Sequence, residues 1–191
     1  MKSNFYIIFF LLNVIISQDN SIRLHAQETA RIDQVYERLQ ERIKKKEIFV
    51  SHVKLNSHRL SLHFKSQPSH TERYFYTFQG KQLVLLFVTT YTEVGMLNYY
   101  SEYLFDDKSG KLLLYQERQN DKDKFSYRKL KVYFTDMKAI ATFQSNEENE
   151  DMQNNFDKVN EPKVEEVRKI LSSAKYYQEK FYANMDEVLR K

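Results

Sequence analysis

Four histidines crowd into a short stretch of this chain, His52, His58, His63 and His70, and imidazoles so close together raise the question of a metal site. Ligand pairs stand at i, i+4 on a helix or i, i+2 on a strand, where two rings reach one ion. Here the separations are 6, 5 and 7 residues, across a segment that reads as loop and strand. His63 shares its strand phase with Ser61 and Lys65, away from the apolar side, so these read as surface histidines and no metal is expected. The chain has no cysteine, which removes thiolate metal sites, a cysteine nucleophile and a disulfide framework. No Gly-x-Ser-x-Gly elbow, His-Glu-x-x-His pair or phosphate loop occurs, and three glycines cannot build a Gly-rich cradle. Asp106 and Asp107 are adjacent, but they fall in a turn, where Asp is favoured for its own hydrogen bonds. No cofactor is expected, and catalysis is the less favoured reading.

What remains is a face of tyrosines beside charges. In Phe125–Thr135, Leu130, Val132 and Phe134 share one side, while Tyr127, Lys129, Lys131 and Tyr133 share the other. In Met96–Phe105, Leu97, Tyr99, Tyr103 and Phe105 oppose Asn98, Tyr100 and Glu102. The wetter face, with Tyr100, Glu102, Tyr127, Lys129, Lys131 and Tyr133, is the candidate ligand-binding set. Rings stack and charged groups fix orientation, which suits a sugar, an anion or an amphipathic molecule. The plainer reading is that these tyrosines cover a solvent-facing sheet. The acidic run Glu147, Glu148, Glu150 and Asp151 lacks the alternating oxygens and central Gly of a calcium loop. It reads as part of a flexible polar connection over 145–160.

The elements that position these residues follow from periodicity. From Thr29 to Lys46, Ile32, Val35, Tyr36, Leu39 and Ile43 fall on one helical face, closed by Lys44, Lys45 and Lys46 where positive charge suits the helix dipole. At the far end, Asn160-Glu161-Pro162 is a helix start. Val164, Val167, Ile170, Leu171, Ala174, Tyr177, Phe181, Met185 and Val188 then recur at three- and four-residue steps. Between the helices the period is two: Leu60, Leu62 and Phe64 alternate with Ser61, His63 and Lys65. Gly80, Gly95 and Gly110 lie 15 residues apart, and further breaks fall at Asn120–Asp123 and Asp136-Met137. Strand Gln82–Tyr91 is apolar on both sides and should be central. The expected fold is α+β: an N-terminal helix, a meander of about seven antiparallel strands in a strongly curved sheet, and a long amphipathic C-terminal helix packed on it. The stretch Tyr103-Leu-Phe-Asp-Asp-Lys-Ser-Gly-Lys-Leu resembles hairpins of periplasmic modules, including the PepSY type, over this one hairpin, and assigns no family.

Residues 1–26 read as a signal peptide and leader. Lys2 precedes the apolar run Phe5–Ile16, which is too short for a bilayer needing about 20 residues, with cleavage expected after Ser17 or Ala26. The leader resembles those of secreted bacterial proteins. Residues 27–191 then form a single domain, large enough to bury a core without disulfides, in a periplasmic or extracellular setting with no membrane span after cleavage. With 30 Lys+Arg against 26 Asp+Glu, the charge is too balanced to imply nucleic acid. The favoured function is an exported, non-catalytic binding or structural module of the cell envelope, contacting a protein partner or a small amphipathic ligand through its sheet or helix–sheet groove. Next comes a carrier of a hydrophobic or amphipathic molecule, in a cavity under strands Gln82–Tyr91 and Met96–Phe105. Third is a hydrolase whose groups converge only in the fold.

Overall fold

A computed structural model of the chain describes residues 2–55, 69–77, 82–91, 97–121, 126–147, 157–159 and 163–189. The first element, α1 (Lys2–Lys44), is one continuous helix of 43 residues. It contains most of the segment expected to be helical and extends it backwards through both expected cleavage points. It stops where Lys46 takes a positive φ of 59°, with the Glu47 amide donating back to the Arg42 carbonyl. Ile32 and Leu39 are buried, flanked by half-buried Val35, Tyr36 and Ile43, so the apolar stripe is the docked face.

Eight strands follow: β1 (Phe49–Leu55), β2 (Ser69–Tyr76), β3 (Leu83–Tyr91), β4 (Leu97–Phe105), β5 (Leu112–Asp121), β6 (Ser126–Thr135), β7 (Lys138–Glu147) and β8 (Asp157–Val159). Each pairs antiparallel with the next in the chain, in the order β1 to β8, which is the predicted meander. The sheet is open, with β1 and β8 at opposite ends of the order, and this gives no support to the strong curvature expected. Two strands reach into the stretch 145–160 expected to be a flexible polar connection. β7 runs to Glu147, and Asp157–Val159 pairs with Thr142–Gln144 as a short eighth strand. The expected alternation at Leu60–Phe64, His58, His63, Gly80 and Gly95 lie outside the described residues.

Two turns show why the hairpins close where they do. Between β4 and β5, one Asp106 carboxylate oxygen accepts from the amides of Lys108 and Ser109 and from the Ser109 hydroxyl, and Gly110 takes φ 69°. Between β6 and β7, Asp136 and Met137 both have positive φ, 49° and 64°, the two-residue turn whose twist matches the flanking strands.

The last element, α2 (Val164–Leu189), packs on one face of the sheet and α1 on the other. Ile170, Ala174 and Phe181 of α2 join Leu86, Val88, Tyr103, Phe105, Leu130, Val132 and Phe134. Ile32 and Leu39 of α1 join Phe75, Leu85, Leu104, Leu114 and Tyr133. Val164 departs from the expected α2 stripe and is 74% exposed. β3 is interior, third of eight, and Leu83 to Leu86 are buried, as a strand covered on both faces requires. No helix among the described residues is long and apolar enough to cross a membrane.

Candidate functional site

The strand phase read from sequence holds. Tyr100 stands opposite Arg118, and Arg118 opposite Lys129, in a row across β4, β5 and β6. The next row is Glu102, Gln116 and Lys131, and the next Leu104, Leu114 and Tyr133. Five of the six candidates are therefore placed on one face. Tyr127 lies opposite Asn120 and Glu147 in the β6 register, and its side chain is outside the described residues.

The wet, open face expected of these residues is not what forms, because α1 lies across it. Asp33 of α1 accepts from Lys131 Nζ at 3.0 Å and from the Tyr133 hydroxyl at 2.8 and 2.9 Å on its two oxygens. The Lys131 ammonium also sits 4.7 Å from the centre of the Tyr133 ring. Tyr133 is buried, and Glu102 is 4% exposed. Burial pushes the Glu102 carboxyl above its ordinary value, against the opposite pull of the Tyr36 and Tyr100 hydroxyls and the Lys131 charge. These residues fasten a helix to the sheet.

An open polar cleft forms on the other face, where the first turns of α2 pass over β4, β5 and β6. It encloses about 430 Å³, and its walls carry Tyr99, Tyr115, Glu117, Arg128, Glu166 and Lys169. A relay of hydrogen bonds runs through it. The Tyr99 and Tyr115 hydroxyls are 2.8 Å apart, and Tyr115 donates to Glu117 Oε2 at 2.5 Å. Arg128 lies 3.6 Å from Glu117 Oε1 and donates to Glu166 on α2, bridging sheet and helix. Burial lowers the Arg128 guanidinium, but Glu166 and Glu117 outweigh it and hold it above its usual value. Burial raises both tyrosines, so neither hydroxyl ionises at neutral pH.

Sequence reasoning put Tyr99 and Tyr103 together with Leu97 and Phe105, but sought the ligand-binding set on the opposite, wetter side. The usable signal was the alternation Tyr115, Glu117, Gln119 in β5, which sets polar groups on the face of Tyr99. The helix that completes the cleft is remote, since Glu166 lies 38 residues from Arg128.

Two further features flank α2. Glu72 on β2, 1% exposed, accepts from Lys180 of α2, from the Tyr74 hydroxyl at 2.6 Å, and lies 3.0 Å from His70 Nε2. On the other flank an apolar trough of about 510 Å³ is lined by Leu112, Met137, Val164, Val167 and Leu171. No group of three or more His, Asp or Glu is placed to hold a metal among the described residues, and His52 points outward from β1. No protein-family model, curated protein or solved structure matches the chain.

Proposed function

We propose that this chain is an exported, non-catalytic binding module of the bacterial cell envelope, with the cleft between α2 and β4–β6 as its contact surface. The observation that carries the reading is the character of that cleft: tyrosine hydroxyls and charges converge there, already paired with one another. Glu117 receives Tyr115 and faces Arg128, Arg128 is shared with Glu166, and the tyrosines are held protonated. A general base needs a carboxylate or imidazole with its acceptor position turned to substrate. Mutually satisfied groups instead offer a rigid pattern of donors and acceptors to a partner.

Export is supported by the apolar run Phe5–Ile16 behind the basic Lys2. Among the α1 side chains that are described, from residue 23 onward, Glu28 meets Thr135 and Ile32 is buried. Removal of residues 1–26 leaves those contacts in place.

The test is an untagged preparation from the native envelope. Intact mass should give a chain beginning after Ser17 or Ala26, and mass spectrometry should find a co-purifying molecule or protein. Ser173→Trp, which fills the cleft from α2, should strip that partner. An unprocessed cytosolic chain, or a partner kept by the filled cleft, overturns the reading.

The carrier remains second, favoured by the apolar trough beside α2. The space first expected to hold its cargo, under β3 and β4, is occupied by Leu83–Leu86 and Tyr103–Phe105, packed against the two helices. A lipid-like molecule that survives Ser173→Trp would select the trough.

A further inference from the structure

Glu102 is a carboxyl in a place that suits its acid form. It lies on β4 beneath α1, beside Phe87 of β3 and Gln116 of β5 in the strand register. One oxygen, Oε2, accepts from the Tyr100 hydroxyl at 2.8 Å. The other, Oε1, is buried with no hydrogen-bond partner among the described residues. An ionised carboxylate with a bare, buried oxygen is costly, and a neutral carboxylic acid there costs much less.

The surroundings do not remedy this. From α1, Tyr36 faces Glu102, and Asp33 stands beside it on Lys131 and Tyr133. From β6 comes Lys131, but its ammonium is engaged by Asp33 at 3.0 Å. On β2, Arg73 stacks over the Phe87 ring at 5.0 Å from its centre. Arg118 of β5 and Lys129 of β6 stand one row further along their strands, level with Tyr100. The nearest cation is thus already bound to the helix that covers the carboxyl.

We propose that Glu102 is a proton-linked latch for α1: as the acid it seals the helix against the sheet, and as the carboxylate it loosens that contact. Ionisation forces the buried oxygen to seek water or a cation, and both routes disturb α1. Water enters only if Tyr36 lifts, and Lys131 turns to Glu102 only by leaving Asp33. Either event uncovers the apolar row Phe75, Leu85, Leu104 and Leu114 that α1 protects. The latch therefore controls access to a sheet face.

The direction with pH follows from linkage. Burial raises the folded-state value of Glu102, so its stabilising contribution is complete below the unfolded value and is lost as pH rises through the folded one. Docking of α1 is tightest in acid. Glu72, Glu28 and Asp106 have lowered values and act oppositely, losing their contribution as pH falls. Whole-chain unfolding mixes the two signs, so the readout must be local to α1.

Hydrogen exchange of α1 amides over residues 32–43, normalised to intrinsic rates and followed against pH on the full chain, provides it. Protection should fall by about tenfold per pH unit between the exposed and the folded Glu102 values and level off above the folded one. Glu102→Gln should flatten that dependence while keeping protection at its acid level. Tyr36→Phe, which removes one hydroxyl that favours the carboxylate, should carry the fall to higher pH before it levels off, and serves if the Gln variant does not fold. Equal pH dependence in wild type and Glu102→Gln, no dependence in wild type, or an unmoved upper end of the fall in Tyr36→Phe overturns the latch.

Discussion

Lys180 holds Glu72 by both carboxylate oxygens, at 2.7 and 2.8 Å, joining α2 to the second strand of the sheet. Burial pushes that carboxyl up, yet Lys180, Tyr74 and His70 together bring it below its ordinary value. Lys180→Met would leave a buried carboxylate without its cation and should cost about 3 kcal/mol, at the low end for such a loss because the Lys180 side chain is 25% exposed. Urea unfolding at neutral pH measures it. Since the lowered value gives stability that is lost as pH falls through it, the variant should also lose less on acidification than wild type does.

Asp33 joins the other helix to the sheet by accepting from both Lys131 and Tyr133. Its side chain is 44% exposed, so water screens the ion pair and most of the value lies in the buried Tyr133 hydroxyl. Asp33→Ala and Tyr133→Phe should each cost about 1 kcal/mol in urea unfolding, and the double variant less than their sum, because they remove one shared interaction.

Both tight turns should favour glycine, so taking it out of one and putting it into the other should change stability in opposite directions. Gly110→Ala places a Cβ 2.9 Å from Gln82 Nε2 at a φ of +69°, and should cost about 1–2 kcal/mol. Met137 holds a positive φ with a full side chain, so Met137→Gly should stabilise by about 0.5–1 kcal/mol. Paired thermal melts of the two variants check both signs.

In the cleft, Tyr115→Phe removes the hydroxyl shared by Tyr99 and Glu117. Two polar groups then lose a partner in a half-buried site, at about 1–2 kcal/mol. Partner retention should fall as well, because the relay that orients Glu117 is broken. A variant that loses stability but keeps its partner would place the relay outside the contact surface.

Local physics was easy to read in this chain, and distant physics was not. Alternation in Ser126–Thr135 placed Lys131 and Tyr133 on one side and Val132 and Phe134 on the other, because strand geometry fixes that choice residue by residue. Turns such as Asp136-Met137 and Asp106–Gly110 were legible from composition, so the meander was too. Which face α1 would take was not. Its stripe announces a docked helix, but the choice depends on Asp33 meeting Lys131 98 residues away, and no local period encodes it. The cleft was hidden for the same reason, since Glu166 completes it from another element. β8 escaped because three residues, two of them charged, make no pattern.

Because every strand bonds to its successor, a chain emerging amino-terminus first can zip up one hairpin at a time, with little long-loop closure to delay it. The opening helix is the exception: it is synthesised earliest, yet the residues that clasp Asp33 arrive only with the sixth strand. Until then its oily stripe has only the growing row of Phe75, Leu85, Leu104 and Leu114 to rest on, unclasped, an interval open to a chaperone that holds the nascent chain.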